Sequence, residues 1–124
     1  MSPACRAVLD RIVAADLPCY MDTPLESVNT KTSNFGETPL HIIALWGDTE
    51  AARILLDEGA EIDAPGEHDF TPLHEAVSQG HVDLAKLLIT HGASLTQKNE
   101  WDMDARELAA IHESPEMREL LNPL

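Results

Sequence analysis

The chain has 124 residues, 44% of them hydrophobic, which suits one domain with a real core. Eight Lys and Arg against 22 Asp and Glu leave a net charge of −14, which works against contact with nucleic acid or an anionic membrane and favours a basic partner or none. Cys5 and Cys19 are too few for a disulfide framework or a zinc site and read as reduced thiols of a cytoplasmic protein.

In chain order, the opening segment MSPACRAVLDRIVAADLP carries Asp10 and Asp16 within its apolar stretch. It has no uninterrupted hydrophobic region, so it predicts neither a signal peptide nor a membrane span. Gly36 to Asp48 then reads GETPLHIIALWGD, and Asp69 to His81 reads DFTPLHEAVSQGH. A constant offset of 33 takes Thr38 to Thr71, Leu40 to Leu73, His41 to His74, Gly47 to Gly80 and Gly59 to Gly92. The same offset lays RILLDEGAEID (Arg53 to Asp63) on KLLITHGASLT (Lys86 to Thr96), with the apolar positions held and the charges varying. A third step of 33 reaches Asp104, where the helical spacing survives but Arg106 stands at a core Leu position, Glu107 at the His and Glu113 at the Gly.

A 33-residue period carrying Thr-Pro-Leu-His resembles the ankyrin repeat. The resemblance implies an all-α solenoid of stacked helix-turn-helix units with projecting β-hairpin loops, forming one domain over 1–124. The expected units are a degenerate N-terminal repeat at about 3–33, repeats at 34–66 and 67–99, and a C-terminal capping repeat at 100–124. The first of these is two residues short, since the offset is 32 from Asp16 to Asp48 and 34 from Asn29 to Asp63. A unit of this size cannot bury its own apolar face, so stability comes from stacking on neighbours. By the same resemblance Thr38 and Thr71 start inner helices, Pro39 and Pro72 fill the first turn where a missing N–H costs nothing, and His41 and His74 hydrogen-bond loop backbone. Arg106 has to snorkel or pair.

Catalytic and metal motifs are not evident. HEAVS at His74 to Ser78 has Ser78 where the zinc-protease pattern needs its second His, and its helix belongs to the repeat. His68, His81, His91 and His112 are spread over different units, there is no Gly-rich phosphate loop, and no Ser or Cys sits in a nucleophile motif. The expectation is a protein that is not an enzyme and takes no cofactor, metal, nucleic acid or membrane.

In the ankyrin family partners are held by hairpin tips and by the exposed ends of inner helices, which line a concave face. Carried over, the hairpin positions are Asn34, Phe35 and Glu37, then Glu67, His68 and Phe70, then Glu100, Trp101 and Met103. The helix positions are Leu45 and Trp46, then Ser78 and Gln79, then Ile111 and His112. The chain has two Phe, two Trp and one Tyr, and all but Tyr20 fall on these positions. Rigidly backed aromatics are the usual anchors of protein interfaces, although rings can instead pack between neighbouring hairpins. Acidity concentrates at 36–68, where eight acids face Arg53 alone, a net of −7; at 69–101 the net is −2. The expected function is protein binding through the concave face and hairpin tips, as adaptor or as an inhibitor or immunity-type masking protein. The partner would carry a basic and apolar patch, and the free protein would be a monomer. The alternative is a structural repeat module forming a permanent homo- or hetero-oligomeric interface.

Overall fold

Thr38 and Thr71 sit in extended backbone immediately before a proline, and each begins a helix whose last residue is followed by a left-handed glycine, Gly47 or Gly80, both at φ 77°. Proline at N1 and glycine past the C-terminus define α2 (Pro39–Trp46) and α4 (Pro72–Gln79). The computed structural model describes residues 1–15, 27–31 and 36–122. Before α2 lies α1 (Pro3–Ala14); α3 (Thr49–Asp57), α5 (Val82–Thr90), α6 (Ala105–Ala110) and α7 (Pro115–Leu121) complete the α-helices among the described residues, which contain no strand. None of these helices is long and apolar enough to cross a membrane.

The helices stack in two rows. In the inner row α2 packs on α4 and α4 on α6; in the outer row α3 packs on α5 and α5 on α7; each inner helix also packs on the outer helix that follows it. The core runs between the rows through Leu40, Ile43, Leu55, Leu73, Val77, Leu84, Leu88 and Met117, each fully buried. Ala44, Ala52, Ala76, Ala85 and Ala109 are equally buried and let the helices approach closely at interior density. At the N-terminal end α1 lies mainly on α3 and runs antiparallel to it. Ser2 N donates to Glu58 Oε1 at 3.0 Å at one end, and Arg11 pairs with Asp48 at 2.8 Å at the other. Its Cys5, Leu9 and Ile12 extend the core, and Cys5 is a buried free thiol pushed up by that burial.

The Thr-Pro-Leu-His residues act as a unit. Thr71 N donates to His74 Nδ1 at 2.9 Å, the Thr71 hydroxyl accepts from His74 N, and His74 Nε2 reaches Met103 O at 3.1 Å in the next unit. Thr38 N likewise donates to His41 Nδ1 at 3.0 Å, and His41 Nε2 reaches Phe70 O at 2.8 Å. Because Nδ1 accepts, Nε2 carries the proton and donates, so both rings are neutral and bind one unit to the next. In the third unit Asp104 and Glu107 replace this pair with a capping box: Asp104 Oδ1 accepts from Glu107 N at 2.9 Å and Glu107 Oε1 from Asp104 N at 3.3 Å. The local cap survives there while the bond to a following unit is gone.

Loop carboxylates and amides repeat as well. Asn29 Oδ1 accepts from Glu61 N at 2.7 Å, and Asp63 Oδ1 from Ser94 N at 2.9 Å, so residues related by the offset of 34 do the same work in successive loops. Arg106 resolves its conflict at the surface, where it is exposed and pairs with Asp104 at 3.3 Å. The groove of about 420 Å³ beside it, lined by Lys98, Arg106, Glu107 and Asn122 among others, contains cations already paired with acids.

Candidate interaction face

The connections leading into α4 and α6 are short hairpins, each closed at its base by one backbone hydrogen bond. Gly66 N donates to Phe70 O at 2.8 Å and Asn99 N to Met103 O at 2.9 Å. The tips turn through left-handed residues, His68 at φ 58°, Asp69 at 59° and Asp102 at 60°, a region in which Asp and His are enriched among non-glycine residues. Asn99 braces the second hairpin from within, its Oδ1 accepting from Trp101 N at 2.9 Å and Met103 N at 3.1 Å.

The hairpin tips and the ends of α2, α4 and α6 carry the positions at which the repeat pattern places partner contacts. Among the described residues the large exposed hydrophobics outside the N-terminal helix region are Leu45 (43% exposed), Trp46 (36%), Trp101 (57%) and Ile111 (73%). All four are on the positions carried over from the repeat pattern. Ser78, Gln79, Glu67, His68 and Glu100 are exposed as well, and Phe70, Met103 and His112 are half-buried. Asn34 and Phe35 lie outside the described residues. Trp101 packs across the hairpins, its ring 4.7 Å from that of His68 and 5.8 Å from Phe70 in an edge-to-face arrangement. Trp46 has the Arg11 guanidinium 6.0 Å from its ring centre, a cation–π contact that no repeat-based reading supplies because Arg11 comes from α1. The 33-residue offset also relates Ile42, Glu75 and Leu108, which the motif reading passed over; Ile42 is 6% exposed and the other two are half-buried.

Glu37 departs from expectation. It was expected at an exposed hairpin position and is instead 8% exposed, its Oε1 accepting from Glu67 N at 3.2 Å. It fits because Gly66 has no side chain: a Cβ there would come within 2.8 Å of Glu37 Oε2 and His41 Nε2. One unit later Phe70 occupies the Glu37 position and Asn99 the Gly66 position, so the hairpin is braced from its own residue. Glu37 is therefore buried beneath the hairpin rather than exposed at its tip.

Burial, with Glu75 and Glu67 nearby, pushes the Glu37 carboxyl up to about 7 despite the opposing hydrogen bond from Glu67 N. Burial raises Glu75 too, and Glu67 adds to it. Burial lowers His41 to about 4, and His41 Nδ1 is 3.6 Å from Glu37. Glu37 has a folded value above its ordinary 4.5, so the native state holds the extra proton between about 4.5 and 7. Its penalty is absent below that window and grows as pH rises through 7. Glu37→Gln keeps the acceptor oxygen without the charge. The variant is expected to match wild type near pH 4 and to exceed it by about 2 kcal/mol at pH 8 in urea melts. Equal stabilities at both pH values would show that the carboxyl titrates normally.

Among the described residues, neither Glu67 nor Glu75 has a Lys or Arg partner, and no group of three His, Cys, Asp or Glu side chains is placed to hold a metal ion. The exposed rings and aliphatics, with carboxylates such as Glu67 and Glu100 on the same hairpins as Phe70 and Trp101, suit burying apolar area while attracting positive charge. A family model described as ankyrin repeats, in three copies, matches residues 7–99. No sequence among curated proteins matches the chain.

Proposed function

The chain belongs to the ankyrin-repeat family, whose repeats are general protein–protein interaction modules, and from that premise we propose that it binds a partner protein through the inner-helix ends and hairpin tips. One observation carries the reading: Leu45, Trp46, Trp101 and Ile111 are exposed, at positions the repeat pattern assigns to partners. Large rings held by a rigid scaffold bury much area at little entropic cost, which is what an interface anchor requires. The partner presents an apolar patch bordered by Arg or Lys, with Glu67, Glu75 and Glu100 steering its approach. The protein acts in the cytosol by occupying that surface, as an adaptor or as a masking inhibitor.

The test compares wild type with a Trp46→Ala, Trp101→Ala variant of unchanged helicity, using affinity capture followed by titration of the captured partner. Affinity is expected to fall roughly tenfold or more, since anchor truncations cost about 2 kcal/mol or more. Added salt is expected to slow association of the wild type. Equal capture by both proteins would move the site off this face. A one-to-one complex that silences an enzyme would select the inhibitor role over the adaptor role. Concentration-dependent self-association in sedimentation, lost in the variant, would select the oligomeric alternative.

A further inference from the structure

Two successive hairpins meet at one imidazole. His68 Nδ1 lies 2.6 Å from Glu100 Oε2 on the following hairpin, and His68 Nε2 lies 3.6 Å from Glu67 Oε1 on its own. The same loops are joined by Glu100 N, which donates to His68 O at 2.9 Å. The indole of Trp101 rests on the imidazole, with 4.7 Å between ring centres and 41° between planes. The left-handed backbone of His68, at φ 58°, directs the ring into this position.

A neutral imidazole has one N–H and one lone pair. It can serve one of the two carboxylates and must turn a lone pair toward the other. The imidazolium donates to Glu100 and sets positive charge against Glu67 as well, offsetting the repulsion between the two carboxylates. We propose that His68 is a proton-operated clasp between the hairpins at 66–70 and 99–103, holding Trp101 in place as the imidazolium and releasing it when the proton leaves.

The groups facing His68 are Glu100 from the next hairpin and Glu67 from its own. The hydrogen bond to Glu100 raises His68 above its ordinary 6.5, with the charges of Glu100 and Glu67 adding to that. A raised folded value means that the clasp is fully closed below 6.5 and opens as pH rises through the higher value. Glu37, raised to about 7, and Glu75, raised by burial, also feel the Glu67 charge. The effect on partner binding rests on the reading of this face given above: Trp101, 57% exposed, is presented fixed on the acid side and loosened on the alkaline side.

The experiment uses the free, full-length chain. The His68 ring proton, assigned by its loss in His68→Gln, is followed by NMR from pH 5 to 9. Trp101 emission and anisotropy are followed over the same range in a Trp46→Phe background. The expected result is a His68 midpoint above 6.5 that drops toward the ordinary value in Glu100→Gln. Trp101 should show a transition at the same midpoint, with lower emission and higher anisotropy on the acid side, abolished by His68→Gln. A His68 midpoint at or below 6.5 overturns the clasp. So does a Trp101 signal that is flat or that survives His68→Gln, which would assign it to Glu37 or Glu75. None of these readouts involves a partner, so the clasp can fail while the interaction face stands, and the reverse.

Discussion

Replacing His74 with alanine is expected to lower stability by about 3 kcal/mol in urea unfolding at pH 7.5, with the loss of protection in hydrogen exchange concentrated in α6 and α7. His74 is 1% exposed, accepts from Thr71 N at 2.9 Å and donates to Met103 O at 3.1 Å. Truncation leaves both backbone groups without their partner and opens a cavity, two mechanisms that each cost about 1–3 kcal/mol. The second bond is the one that ties the 67–99 unit to the last, so its loss uncouples the end of the stack more than it disturbs α4. The effect has a pH signature. Burial lowers His74 below its ordinary 6.5, so wild type loses stability as pH falls below 6.5 and the variant lacks that loss. The gap between them should narrow on acidification. A difference under about 1 kcal/mol at pH 7.5 would mean that stacking rests on apolar contact alone.

Gly47→Ala is expected to cost about 2 kcal/mol, twice the cost of Gly59→Ala, in the same unfolding assay. Both glycines have positive φ, 77° and 91°, so alanine strains the backbone at either position. Only at Gly47 does the new Cβ meet something: it would fall 2.6 Å from His81 Nδ1 and 2.7 Å from Cε1, whereas nothing lies within 4 Å at Gly59. His81 Nε2 reaches Leu45 O at 3.0 Å, and displacing the ring breaks this link between the end of α2 and the start of α5. Equal costs for the two variants would show that backbone strain accounts for everything and that His81 moves aside freely.

The two glycines also show where sequence reading stops. The 33-residue offset pairs Gly47 with Gly80, and the structure puts both just past inner helices in left-handed backbone. What lies opposite each differs: the His81 ring against Gly47, and the His112 ring, 3.2 Å from a Cβ, against Gly80. Both neighbours are histidines of the following unit, but they stand 34 and 32 residues on from their glycines, at positions the 33-residue offset does not relate. The hairpins behave alike. The resemblance to ankyrin repeats puts Trp101 and Phe70 at hairpin positions, but their edge-to-face packing, with His68 against Trp101, follows from how far apart two successive tips lie.

The 33-residue period, through its resemblance to the ankyrin repeat, determined the all-α repeat fold and the Thr-Pro-Leu-His helix starts, because each depends on a local backbone requirement restated every 33 residues. Tertiary structure alone decided the burial of Glu37, the cation of Arg11 over Trp46 and the double contact of His68. Each of those joins residues from different units or different helix faces, at distances fixed by stacking. A charge such as Glu37 goes inside only because the neighbouring hairpin has glycine at position 66 and a backbone N–H at Glu67 to receive it.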